Sequence, residues 1–65
     1  MTKEEIQEGI EEVRRLFLQI DDEQGALKGL ELIKKLLKSG QLTFDQEVEL
    51  RGYGESFAVT LRRFR

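Results

Sequence analysis

Cysteine, histidine, tryptophan and proline are all missing from this 65-residue chain. Without thiols there is no disulfide staple and no thiolate metal site. Without histidine the usual proton shuttle and the commonest metal ligand are gone as well. Asp, Glu, Lys, Tyr, Ser and Thr remain, a poor set for nucleophilic or acid–base catalysis. The expectation is a protein that is not an enzyme and carries no cofactor. The chain also lacks any run approaching the roughly 18 apolar residues of a membrane-spanning helix. Its opening residues, Met1-Thr2-Lys3-Glu4-Glu5, are too acidic for a secretory signal. No membrane partner is expected, and the absence of cysteine agrees with a reducing, cytoplasmic setting.

What is present suits a folded domain. Hydrophobic residues make up 38% of the chain and include ten leucines, four isoleucines and four phenylalanines, enough apolar surface to order a single small domain over residues 1–65. So short a chain buries only about 60% of the surface its unfolded form exposes. Packing must therefore supply the stability, including packing between copies. Charge is distributed unevenly: residues 1–25 sum to −5 and residues 26–65 to +3 within an overall −2. Acidic side chains favour helix starts and basic ones helix ends, which accounts for much of this; the polarity can also steer a charged partner.

Ile6, Ile10, Val13, Phe17 and Ile20 recur at spacings of four and three, one stripe of an amphipathic helix over residues 2–20. Thr2 with Glu5 three residues later reads as a capping box. Asp21-Asp22-Glu23-Gln24-Gly25 breaks the stripe, and either aspartate can cap a second helix over residues 22–38, with Leu27, Leu30, Ile33 and Leu37 along one face and Ser39-Gly40 as its stop. A brief loop between the two predicts an antiparallel helical hairpin. The second helix is apolar on more than one face, so it is expected to sit centrally.

Two readings compete for the rest. In the favoured one, Leu42, Phe44, Val48 and Leu50 alternate with polar residues before Gly52-Tyr53-Gly54, and Phe57, Val59 and Leu61 alternate after it, giving a β-hairpin with strands 42–51 and 56–64. Residues whose numbers sum to 107 then pair, placing Leu50 opposite Phe57, Val48 opposite Val59 and Asp45 opposite Arg62. The fold class is then α+β in the order α-α-β-β. Two exposed strand edges make a homodimer sharing a four-stranded sheet the economical assembly. In the competing reading Thr43 and Gln46 cap a third helix bearing Leu50, Tyr53, Phe57, Leu61 and Phe64, and the fold is an all-α three-helix bundle. That reading places Gly52 and Gly54 inside a helix at about 1 kcal/mol each relative to Ala.

Leu16, Leu18, Leu32, Leu36 and Phe64 exceed what a two-helix contact requires and are candidates for a protein interface. The basic residues Arg51, Arg62, Arg63 and Arg65, with Phe64 among them, suggest a ribbon or wing lying along nucleic acid, although a pI near 5.1 is far below the usual basic footprint. Asp21, Asp22 and Glu23 lack the alternating ligand spacing of a calcium loop, and Gly52-Tyr53-Gly54 lacks the Lys and Ser or Thr of a phosphate loop. The function expected is a small non-enzymatic interaction module, an adaptor, inhibitor or regulatory subunit that also associates with itself. The alternative is a dimeric nucleic-acid-binding regulator using the basic C-terminal hairpin.

Overall fold

A computed structural model describes residues 2–19 and 22–64. Three helices occupy almost all of them: α1 (Lys3–Leu18), α2 (Glu23–Lys38) and α3 (Phe44–Arg63). Thr2 caps α1 in a complete capping box with Glu5, the Thr2 Oγ1 accepting from the Glu5 N–H at 3.2 Å and the Glu5 carboxylate accepting from the Thr2 N–H at 3.1 Å. Asp22 is the aspartate that caps α2, accepting from the Gly25 N–H at 2.7 Å. Asp21 and Ile20 lie outside the described residues. The stop of α2 is built by Ser39, whose hydroxyl donates to the Leu36 carbonyl at 2.6 Å, followed by Gly40 at φ 68°, a backbone conformation open chiefly to glycine.

The expected β-hairpin does not form. Among the described residues there is no strand, and residues 44–63 form one 20-residue helix, so the α+β class gives way to the three-helix bundle. Three physical terms outweigh the two-residue alternation. Thr43 and Gln46 close a second reciprocal capping box, with N···O distances of 2.9 and 3.2 Å, worth about 1 kcal/mol at a helix start. The helix turns Leu50 and Phe57, seven residues apart, onto one face and buries both completely, about 1.5–3 kcal/mol each. An isolated two-stranded hairpin would leave both edges unpaired. The glycine penalties of Gly52 and Gly54 are smaller than this sum. Val48 and Val59, assigned to the buried face of the hairpin, stand instead on the solvent side of α3, 54% and 47% exposed.

Packing follows from this one change. α2 lies against both other helices, whereas α1 and α3 share a smaller contact. Neighbouring helices run antiparallel and the molecule is elongated, 35 × 17 × 16 Å. Ile6, Ile10 and Val13 from α1, Ala26, Ile33 and Leu36 from α2, and Leu50 and Phe57 from α3 form the core. Two glycines set the helix separations. A Cβ on Gly9 would meet the Leu36 side chain at 2.9 Å, and a Cβ on Gly29 would meet the Phe57 ring at 2.6 Å. Phe57 thus occupies the volume that any other residue at position 29 would fill. Phe17 completes the aromatic cluster, with its ring centroid 4.8 Å from Tyr53 and 6.3 Å, edge-on, from Phe57.

Gly29→Ala is expected to lower stability by about 1–3 kcal/mol through overpacking, despite the better helix propensity of Ala. Gly52→Ala, at a helical site with nothing within 4 Å of the added Cβ, should raise it by about 0.5–1 kcal/mol. Urea titrations of both variants check the pair; equal effects of one sign would show that helix propensity, not the Phe57 contact, decides position 29.

Candidate interaction surface

The interface candidates fall into three environments. Leu36 is fully buried in the core, beneath the depression beside Gly9. Its position in α2 places it under Gly9, where the absent side chain admits it. Leu16 and Leu32 are partly buried and pack against the core from α1 and α2. Leu18 is 82% exposed at the last turn of α1, and Phe64 is 50% exposed at the C-cap of α3.

Leu16 and Leu18 line a depression between the end of α1 and the start of α2, bordered by Asp22, Gly25 and Lys28. Leu32 floors a second depression between the same helices, beside Gly9 and rimmed by Glu5, Glu8, Glu12 and Arg15. Both depressions lie between α1 and α2; Leu16 and Leu32 sit one residue off the core stripes of their helices, and Leu18, on the other side of Phe17 from Leu16, reaches its depression from the last turn of α1. The rim is acidic over α1 and has Arg15 near the junction, where it pairs with Glu12.

The basic candidates occupy α3, not a ribbon. Arg51, Arg62 and Arg63 are exposed, and Arg51 and Arg62 are separated along the helix by about 16 Å at 1.5 Å per residue. The wing geometry expected of them falls with the hairpin. Arg65 lies outside the described residues.

A polar cluster unmarked in the sequence joins α1 to α3. Arg14 donates from Nε and Nη2 to the two carboxylate oxygens of Glu49, at 2.7 and 2.9 Å, in a fork-to-fork pair. Tyr53, one turn on from Glu49, sits beside it against Phe17. Hydrogen bonding from Arg14 holds the Glu49 carboxyl below its ordinary value, and the Arg14 guanidinium is held above its own, first by the bond to Glu49. The Tyr53 phenol is raised, first by hydrogen bonding to Glu49 and then by burial. Glu5 is lowered by its bonds to the Thr2 backbone and hydroxyl. The Arg14–Glu49 separation of 35 residues lies beyond any helical-spacing rule. Nor did spacing mark Phe44, Val48 and Val59 as exposed; the signal for that was the helical stripe of Leu50, Phe57 and Leu61, which leaves the two valines on the opposite side.

The signs of these shifts define a pH window. Glu49, lowered in the fold, contributes stability above its unfolded pKa that is lost as pH falls through its lower folded value. Tyr53, raised in the fold, contributes stability below its unfolded pKa that is lost as pH rises through its higher folded value. The destabilisation caused by Glu49→Gln should therefore be greatest near neutrality and shrink toward zero in acid, where the wild-type carboxyl is itself protonated. Guanidinium-free urea melts across the acid range check this, and a pH-independent difference would mean that the pair contributes shape only. Compared with known protein-family models, with curated proteins and with solved structures, the chain matches none.

Proposed function

We propose that this chain is a small non-enzymatic protein-interaction module, an adaptor, inhibitor or regulatory subunit working in the cytoplasm, that receives its partner on the outer α1/α2 side. The observation that carries the reading is Leu18, 82% exposed at the mouth of a depression already lined by Leu16. A large aliphatic side chain held on a rigid helix beside a half-buried one is the arrangement of an interface anchor with its surrounding apolar floor. Its position at the end of α1 also keeps Leu18 clear of the bundle core, so its removal does not threaten the fold.

The acidic rim of Glu5, Glu8 and Glu12 favours a partner segment with Lys or Arg flanking an apolar stripe, since charge complementarity accelerates encounter and sets orientation. Among the described residues no helix is long and apolar enough to cross a membrane. The lack of cysteine in the sequence supports the cytoplasmic setting.

Leu18→Lys is expected to abolish partner binding while changing folding stability by no more than about 0.5 kcal/mol, as for other surface substitutions. Quantitative affinity capture from the host, wild type against variant, with circular-dichroism melts in parallel, makes the measurement. Unchanged capture, or a loss of stability equal to the loss of binding, would sink the proposal.

A further inference from the structure

The outer face of α3 is a polar face that carries two exposed valines, and no element of the bundle covers them. Positions 45, 48, 52, 55, 56, 59 and 63 recur at helical spacing on the side opposite Leu50 and Phe57, and Val48 and Val59 stand exposed on it. Gly52, Glu55, Ser56, Val59, Thr60 and Arg63 line one shallow depression there, with open space above Gly52. Charge along this helix is ordered: Asp45 and Glu47 in the first turn, Arg51 and Glu55 about the middle, Arg62 and Arg63 in the last. Among the described residues none of Asp45, Arg51, Glu55, Arg62 and Arg63 takes part in an ion pair within the chain.

We propose that this face receives a second copy of the chain, α3 packing antiparallel on α3 about a two-fold axis near residues 53 and 54. The pattern is its own complement when reversed. Residues whose numbers sum to about 107 oppose one another, so Val48 meets Val59 of the second copy, Asp45 meets its Arg62 and Arg63, and Arg51 meets its Glu55. An isologous interface requires this self-complementarity. Gly52 and Ser56, small and adjacent on the face, lie at the crossing and let the backbones approach. Parallel packing of the same faces would set Asp45 against Asp45 and Arg63 against Arg63, a repulsion that selects the antiparallel sense. Phe44, 78% exposed at the first turn of α3, then covers the stem of Arg63 of the second copy. The pairing deepens the reading of the chain as an interaction module, which it presupposes, yet uses a different side of the bundle from Leu18.

Light scattering on a sizing column over a concentration series, at low and moderate salt, measures the association. The wild type is expected to dimerise, more tightly at low salt. Val59→Asp should weaken the dimer about tenfold or more, because it places an unpaired carboxylate in the contact, while melts confirm a folded monomer. Leu18→Lys should leave the dimer unchanged. Because the natural chain has no cysteine, an equal mixture of Val48→Cys and Val59→Cys variants reports the sense directly: antiparallel pairing cross-links one variant to the other on mild oxidation. A monomer at every concentration, a Val48→Cys variant that cross-links to itself, or a dimer stable to Val59→Asp would each overturn the proposal. A dimer broken by Leu18→Lys would overturn it while leaving the α1/α2 reading in place.

Discussion

The packing of α3 on α2 rests on the seating of the Phe57 ring over Gly29. The ring is fully buried and stands where a side chain on α2 would otherwise be. That single contact sets how closely α3 approaches α2, and it turns the remaining positions of α3 with it. Leu50 enters the core on the same face two turns earlier, Tyr53 reaches α1, and Val48 and Val59 are sent to solvent. A domain of this size has one core and little surplus stability, so an aromatic ring fitted to a glycine has more influence on architecture than any ion pair on its surface. The same device recurs between α1 and α2, where Leu36 fills the space above Gly9, and it explains why two short helices without a disulfide hold a defined spacing.

Much of the first 40 residues was legible from spacing. The Ile6, Ile10, Val13 stripe, the Thr2 and Glu5 box and the Ser39-Gly40 stop are local signals, each decided within one or two helical turns, and α1 and α2 lie within a residue or two of where those signals place them. The last 25 residues were misread because their apolar positions satisfy two periods at once. Leu50, Phe57 and Leu61 belong to a helical stripe and also to a two-residue alternation, whereas Phe44, Val48 and Val59 fit the alternation alone and stand exposed on the helix. Helix against hairpin was then decided partly by the local Thr43 and Gln46 capping box and partly by contacts of long sequence separation, above all Gly29 with Phe57, which no local pattern contains. Gly52 and Gly54 looked like turn residues for the same reason; in the structure Gly54 faces Ile33 and Leu30 of α2, and Gly52 faces outward.

The candidate surface was legible in part. Leu16 and Leu18 border one depression at the junction of α1 and α2 and Leu32 a second between the same helices, each one step off a core stripe. Leu36 differs from them in lying on the buried stripe of α2 with Ala26, Gly29 and Ile33, and the missing side chain at Gly9 leaves room for it. The arginines presented a different difficulty. Their neighbourhood depended entirely on whether the segment was ribbon or helix, so an error in the element became an error in the charge pattern.

The short connections between antiparallel neighbours have a kinetic corollary. α1 meets α2, and α2 meets α3, across loops of only a few residues, so most tertiary contacts join segments close in sequence, a topology whose barrier is crossed in microseconds to milliseconds. Without proline there is no isomerisation phase of tens of seconds, and without cysteine no thiol reshuffling. Each molecule therefore reaches its final shape long before it meets another, and any slow, concentration-dependent relaxation in this protein belongs to encounter between finished bundles.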